Sequence, residues 1–323
     1  MKLKKKPIVF LLFCLLIASF ISILFLSSNK ETKIYNVAVI VRGRNSESWT
    51  IIKEGMEQAA SEMNVNISFI TLLEENNTKE QKELIDREIE SKVDAIVISP
   101  ADYLELTNII ENTNKKIPII LFESNIQTQV KIPYISCDNE ELGMKLTEEV
   151  VRNGNLRNKI TILRSQGNFS STNERINGFI EELKLSKNSY EFLDLPKDDG
   201  EISLRINEII ENNSTNVLVT FEPNVLEIAG KLKRNFNNTH ENKSKIEVYG
   251  SGSSSLIVSL IEENIINGIA MQNEVNLGYL SIKAAVAKIE KKEIDSSKIN
   301  STIINSGNMY SKENQRMLFP IVR

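Results

Sequence analysis

Apolar residues recur along most of this chain in two alternating spacings. A continuous apolar run, typical of a strand buried on both faces, occupies residues 36–41, and further strands are predicted at residues 67–72, 95–98 and 117–122. Stretches with apolar residues at helical spacing lie between them, as at residues 79–91. This alternation predicts a parallel sheet with helices on both faces, joined by right-handed crossovers.

The same alternation restarts after Asp138. Further strands, each preceded by a helical stretch, are predicted at residues 160–163, 190–193, 217–221, 246–249 and 269–272. A last helix over residues 277–291 and a short tail complete the chain. The pattern therefore predicts an α/β protein with two doubly wound parallel-sheet domains. Ligands of such sheets bind beyond the carboxyl ends of the strands, so we expect a cleft between the two domains.

The first residues have a different pattern. Residues 1–6 carry four lysines, and the 20 residues from 7 to 26 are almost wholly apolar, long enough to cross a hydrocarbon core of about 30 Å. We expect an uncleaved membrane anchor first, a cleaved signal second, and a lipid anchor on Cys14 third. The first two place the lysines on the cytoplasmic side and the body outside the cytoplasm, either anchored to the cell membrane or secreted or periplasmic after cleavage.

Composition narrows the function classes. The 323 residues include 39 Lys+Arg, 43 Asp+Glu and 41% hydrophobic residues, which is too apolar for a disordered chain. Without a basic excess, the chain lacks the electrostatic signature of a nucleic-acid partner. A DNA-binding repressor is further disfavoured because the N-terminus holds an apolar segment where a helix-turn-helix would be needed.

Residues for common catalytic and metal sites are scarce. The single histidine, His240, lies in a polar run, and the two cysteines are Cys14 in the leader and Cys137 in the body. We therefore expect no cofactor, no metal site and no enzyme. A glycosidase using Glu123 and Asp138 as paired carboxylates is the weaker alternative.

Several segments resemble the type I periplasmic sugar-binding proteins, in their ribose/galactose-binding branch. They include SCDNEELGMKLTEEVV (residues 136–151), NERINGFIEEL (173–183) and NIINGIAMQNEVNLGYLSIKAAV (264–286). The resemblance covers residues 34–304. It implies two lobes that close about a multi-crossing hinge on a small ligand, a sugar or sugar derivative. It also implies a partner, either an ABC permease or a membrane sensor kinase or chemoreceptor.

The resemblance places the domain boundaries at the hinge crossings. We predict a leader and linker over residues 1–33. The N-terminal lobe is predicted from residues 34–137 and 273–298, and the C-terminal lobe from residues 138–272 and 299–323.

The resemblance also implies a set of ligand-binding residues in the first loop, at strand ends, at a helix start and at hinge crossings: Arg42, Asn45, Trp49, Glu123, Ser124, Asp138, Arg175, Glu222 and Gln272. Trp49 would cover the apolar face of a sugar ring. Arg175 belongs to the R-x-x-G-F pattern and would donate several hydrogen bonds. Asp138 would contact ligand or only cap the next helix.

Two positions depart from the usual family pattern. Glu222-Pro223 stands where relatives commonly have Asn-Asp, and the turn at residues 250–253 lacks the usual Asp. The serines at residues 253–255 are candidates for an anion-binding nest at a helix N-terminus. With Arg42 and Arg175 opposite, this suggests a phosphorylated or acidic sugar as a hypothesis.

Overall fold

Strands and helices alternate from Tyr35 onward, as the apolar spacing predicts. The computed structural model describes residues 17, 19, 33–44, 46–294 and 298–319. Tyr35–Arg323 forms one structural unit and Met1–Ile34 another. In the Met1–Ile34 unit, Ile17 and Ser19 are helical and exposed.

The predicted membrane segment, residues 7–26, lies outside the described residues except for Ile17 and Ser19. Within the described ranges, no helix combines the length and apolar character needed to cross a membrane.

Lobe 1 contains the first sheet. Its strands are β1 (Tyr35–Ile40), β2 (Val65–Ile70), β3 (Ala95–Ile98), β4 (Ile119–Phe122) and β5 (Tyr134–Ile135). The helices between them are α1 (Glu47–Met63), α2 (Thr78–Glu90) and α3 (Thr107–Asn114). The strand order is β2-β1-β3-β4-β5, and every pairing is parallel.

Lobe 2 contains the second sheet. Its strands are β6 (Lys159–Arg164), β7 (Ser189–Asp194), β8 (Val217–Thr220), β9 (Glu247–Ser251), β10 (Gly268–Gln272) and β11 (Ser301–Ile304). The remaining helices, in chain order, are α4 (Asn139–Arg152), α5 (Ser170–Ser186), α6 (Asp199–Asn212), α7 (Pro223–Thr239), α8 (Ser255–Glu262), α9 (Glu274–Ile289) and α10 (Lys312–Leu318). Of these, α9 packs on α1, β3 and β4 and so belongs to lobe 1. The strand order is β11-β10-β9-β8-β6-β7.

The second sheet differs from the predicted purely parallel one at its edge. Strand β11 pairs antiparallel with β10, with Gln272 opposite Ser301, in a region that the sequence pattern assigns to a short tail. β11 has four residues, and three of them are only partly buried. Two of its four residues, Ser301 and Thr302, are polar, so the strand lacks the apolar run that reveals the central strands.

Two helix pairs cross at glycines, one pair in each lobe. A β-carbon on Gly55 of α1 would lie 1.9 Å from the Val275 carbonyl oxygen of α9. A β-carbon on Gly143 of α4 would lie 2.0 Å from the Arg175 carbonyl oxygen of α5. Only glycine permits this approach. The second crossing holds α5, and with it the Arg175 backbone, directly against α4.

Candidate functional site

Arg42 and Glu123 form an ion pair where the first sheet faces the second. Arg42 follows β1 and Glu123 follows β4, so the ends of two parallel strands bring them together. The Arg42 Nε donates to Glu123 Oε2 at 3.1 Å, and Nη2 to Oε1 at 3.4 Å. The guanidinium carbon lies 3.8 Å from the ring centre of Phe169 in lobe 2, a cation–π contact between the lobes.

The Glu123 carboxylate is fully engaged by protein donors. It also accepts from Ser99 Oγ at 3.1 Å and, across the cleft, from Ser171 Oγ at 3.0 Å. Burial alone would raise the pKa of Glu123, but the Arg42 charge and these hydrogen bonds outweigh it and lower that pKa. The residue has a left-handed backbone, with φ of 62°, which non-glycine residues seldom adopt outside constrained sites.

Ser124 lies beside this pair and also connects the lobes. Its hydroxyl oxygen is 3.2 Å from Ser170 Oγ, and the Asn125 backbone N–H donates to Ser170 Oγ at 2.7 Å. Because Ser170 opens α5, these bonds attach the first turn of that helix to the end of β4. The lobes therefore contact each other directly on this side of the cleft.

Arg175 is buried one turn further along α5. Its Nε donates to Asn139 Oδ1 at 2.9 Å, and Asn139 in turn donates to Glu174 Oε2 at 2.9 Å. Asn139 thus fixes the direction of the Arg175 side chain. Its Nη2 is buried and has no hydrogen-bond partner among the described residues.

Two more buried polar atoms lack partners within the described residues at the ends of neighbouring strands. They are Ser251 Oγ, at the end of β9, and Gln272 Oε1, at the end of β10. A fourth such atom, Asn188 Oδ1, lies elsewhere, at the turn before β7. An unpaired buried polar atom costs about 1–3 kcal/mol, so a ligand that bonds to the three cleft atoms would recover that cost.

Two further carboxyl groups border the same region. Glu222 follows β8 and accepts from Ser165 Oγ, while Glu274 opens α9 and accepts from Ser253 Oγ at 2.7 Å. Burial raises the pKa of both, to about 7 for Glu274, although nearby guanidinium groups and serine hydroxyls partly offset it. Ser48 Oγ of lobe 1 lies 3.3 Å from Ser253 Oγ.

The serines at residues 253–255 do not form an open anion nest. Ser254 Oγ donates to Glu227 at 2.6 Å. The Ser255 backbone N–H donates to Glu47 Oε2 at 2.9 Å, and its hydroxyl donates to the same carboxylate. Glu47 belongs to α1 in lobe 1, so the N-terminus of α8 already binds an anionic group from the opposite lobe. This geometry removes the main support for an acidic or phosphorylated ligand.

The remaining predicted residues lie in different settings. Trp49 is 8% exposed and packs edge-to-face on Phe122 with ring centres 6.1 Å apart, which is the setting of a core side chain. Asp138 caps α4 by accepting from the Glu141 N–H and pairs with Lys298 at 3.2 Å. Asn45 lies outside the described residues.

The sequence-based set misses several cleft residues. Four residues that border the site are absent from that set: Glu274, Ser251, Ser171 and Phe169. Serines, and an acid in the first turn of a helix, commonly have structural roles, so their presence in a sequence does not indicate a ligand contact. The one available signal for Glu274 is its position directly after the strand that ends at Gln272.

The sequence profile of a family described as "Periplasmic binding protein domain" matches residues 37–293. A search of curated protein sequences found no match.

Solved structures share the fold. A carbohydrate transporter solute-binding protein from Agrobacterium radiobacter, in complex with D-arabinose, is 17% identical with a TM-score of 0.80, over 89% of this chain and 100% of that chain. An ABC transporter solute-binding protein from Agrobacterium vitis, with bound D-fucose, is 16% identical with a TM-score of 0.80, over 88% and 100%. A structure described as the XylFII-LytSN complex is 20% identical with a TM-score of 0.74, over 85% and 99%.

Proposed function

Because this chain belongs to the periplasmic binding protein domain family, we propose that it is a solute-binding protein whose two lobes close on a sugar or sugar derivative. The family is extracytoplasmic and consists of substrate-binding proteins, not enzymes. Binding needs no covalent step: the ligand stabilises the closed form because it contacts both lobes at once.

One observation supports this proposal most directly. Arg175 Nη2, Ser251 Oγ and Gln272 Oε1 are buried without partners in the described part of the chain. They offer a donor, a hydroxyl and an acceptor, the complement of a ring that carries several hydroxyls. Arabinose and fucose bound to neighbours of the same fold agree with this chemistry.

We propose uptake through an ABC transporter as the role of the bound form. The alternative is a receptor that presents its bound form to a membrane kinase or chemoreceptor. We retain that alternative because, in the XylFII-LytSN complex, a protein of this fold assembles with a partner.

We further propose that residues 7–26 hold the protein at the cell membrane, on the strength of their length and apolar character. Mass spectrometry of the N-terminus and fractionation of expressing cells test this. An intact N-terminus in the membrane fraction supports anchoring, and a new N-terminus near residue 27 with soluble protein contradicts it.

A thermal-shift screen of the full chain in mild detergent tests ligand binding. We expect at least one monosaccharide, from a panel that includes arabinose, fucose, allose and tagatose, to raise the melting temperature. A ligand at 100 times its dissociation constant adds about 2.7 kcal/mol.

Arg175→Gln should abolish that shift, because it removes the buried charge and its unpaired donor. Arg205→Gln is the matched control, since Arg205 lies exposed on α6 of the same lobe. A screen without any shift, or an Arg175→Gln protein that binds as well as the control, contradicts the proposed site.

A deletion strain separates the two roles. Loss of labelled-sugar uptake supports transport, whereas unchanged uptake with a lost transcriptional response to the sugar supports the receptor alternative.

A further inference from the structure

The positive groups of the cleft are already matched by protein carboxylates. Arg42 is paired with Glu123 through two hydrogen bonds and is covered by the Phe169 ring. The N-terminus of α8 binds the Glu47 carboxylate. Neither feature is left to recognise an anionic ligand.

Arg175 is close enough to three carboxyl groups for its charge to act on all of them. The pKa of Glu123 is lowered, whereas burial raises the pKa of Glu174 and of Glu274 in spite of the Arg175 charge. Its free Nη2 is therefore a donor beside carboxyl groups that already share its charge. An incoming carboxylate or phosphate would meet three carboxyl groups around this one guanidinium.

Glu222 is a cleft carboxyl group without a directly paired cation in the described part of the chain. Its side-chain hydrogen bond goes to a neutral serine hydroxyl, Ser165 Oγ. Among the described residues it forms no ion pair, and the nearest guanidinium influence comes from Arg42, which Glu123 already neutralises. Glu222 is partly buried, and burial raises its pKa, so a cationic ligand group next to it would favour the ionised carboxylate.

The geometry points to a ligand that supplies the missing positive charge. Resting on the proposed function, we propose that the cleft recognises an amino sugar, with its ammonium group on Glu222 and its hydroxyls on Arg175, Gln272 and Glu274. An ammonium–carboxylate hydrogen bond is stronger than a hydroxyl–carboxylate one. The same arrangement disfavours sugar acids.

Calorimetry on the full chain, near neutral pH, tests this with three matched series. The probes are D-glucosamine, D-galactosamine and D-mannosamine, their parent hexoses, and the corresponding hexuronic acids, with arabinose and fucose as additional neutral sugars. We expect one of the amines to bind at least about tenfold more tightly than its parent hexose, and the acids to bind weakest.

Substitution of Glu222 shows whether the preference for amines comes from the Glu222 charge or from a general gain in sugar affinity. Glu222→Gln keeps the shape of the side chain and should reduce the amine-to-hexose ratio to about threefold or less. The matched control, Glu241→Gln, changes an exposed carboxylate in the loop after α7 and should leave the ratio unchanged. If Glu222→Gln does not fold, the wild-type ranking of the three series still decides the question.

The outcomes distinguish this inference from the proposed function. A neutral sugar or an acid that binds more tightly than every amine overturns the inference and leaves the proposed function standing. An unchanged ratio in Glu222→Gln also overturns it. If no sugar of any series binds, both the inference and the proposed function fail.

Discussion

Glu274 illustrates how a single side chain in this cleft couples to pH. It occupies the first position of α9, where a helix N-terminus favours a negative charge. Burial nevertheless raises its pKa from 4.5 to about 7, with Ser253, Ser48 and the Arg175 charge offsetting only part of that effect. Near neutral pH the carboxyl group is therefore protonated in a substantial fraction of molecules.

The raised pKa predicts a specific pH dependence of stability. The folded state holds the Glu274 proton more tightly than the unfolded state, so the stabilising contribution is complete below pH 4.5 and is lost as the pH rises through about 7. Glu274→Gln removes this dependence. We expect the variant to gain about 1–2 kcal/mol relative to wild type across that window, measured by urea unfolding at a series of pH values.

The control for this prediction is Glu201→Gln, which changes an exposed acid in the first turn of α6. A stability difference between Glu274→Gln and wild type that stays constant with pH would show that Glu274 does not titrate in this range.

At the residue scale, the sequence identifies positions within recognisable segments better than isolated polar residues. Arg175 and Gln272 stand out because they sit in recognisable segments, and both have unpaired buried atoms in the structure. Ser251 has the same property, but a serine near a strand end carries no signal that separates it from a turn residue. Trp49 shows the opposite problem: it is predicted to contact the ligand but lies in a core setting, because a lone tryptophan suits a sugar ring and a core equally well.

At the scale of helices and strands, the α4–α5 crossing is the feature that places Arg175. Gly143 lies against the Arg175 backbone, and Gly178 of α5 lies against the Glu140 backbone, each within about 2 Å of an added β-carbon. This reciprocal contact tolerates no side chain at either position.

Gly143→Ala should therefore force the two helices apart. We expect a loss of about 1–3 kcal/mol in the free energy of unfolding, together with weaker sugar binding because Arg175 moves with its helix. Glu148→Ala changes an exposed residue of the same helix and is the matched control. Equal stability and affinity for the two variants would contradict the tight crossing.

The contact between α1 and α8 is a second determinant at this scale. The Glu47 carboxylate accepts two hydrogen bonds from Ser255 across the cleft. Glu47→Ala should shift the ligand-free protein toward an open form by a few-fold, because an exposed carboxylate at a helix N-terminus contributes about 0.3–1 kcal/mol. Spin labels at Lys79→Cys and Arg205→Cys report the distance between the lobes by pulsed electron resonance.

For this measurement, Cys14 and Cys137 are replaced by serine in every sample. The control is Glu57→Ala, on the same helix, where the carboxylate pairs with Lys53 of that helix. A label distance that is identical in Glu47→Ala and in the control would exclude a role for this contact in closure.

The sequence predicts the central strands well and the sheet edges poorly. Strands β3 and β4 are continuous buried apolar runs, and β1 and β8 each contain one polar residue, the exposed Asn36 and the buried Thr220. This is close to the pattern of a parallel sheet covered on both faces. Strand β5 has two residues and β11 has four. Their positions depend on pairing partners supplied by the rest of the fold, which a local pattern does not contain.

At the scale of the whole molecule, the two sheets face each other through their strand ends, and direct contacts join them on both sides of the cleft. Ser171 and Ser170 of lobe 2 reach Glu123 and Ser124 on one side, and Ser255 reaches Glu47 on the other. This arrangement is the closed form expected of a hinge-closing protein. The predicted lobe boundaries at residues 137/138, 272/273 and 298/299 stay a prediction.

The ligand can be inferred only from the whole molecule, because residues far apart in the chain form the site. Arg42, Glu123, Arg175, Glu222 and Gln272 come from strand ends and helices of two lobes. The sequence alone names these residues, but it does not show that Glu123 neutralises Arg42 or that Glu47 fills the nest at α8. Those pairings remove the support for the acidic-sugar hypothesis and leave a sugar or sugar derivative as the expected ligand.

A crystal structure of the full chain with the sugar selected by the binding screens tests the central claim most directly. The account predicts one sugar between the lobes, within hydrogen-bond distance of Arg175 Nη2, Ser251 Oγ and Gln272 Oε1. A sugar bound outside the cleft, or one in the cleft that leaves all three atoms unpaired, would contradict it.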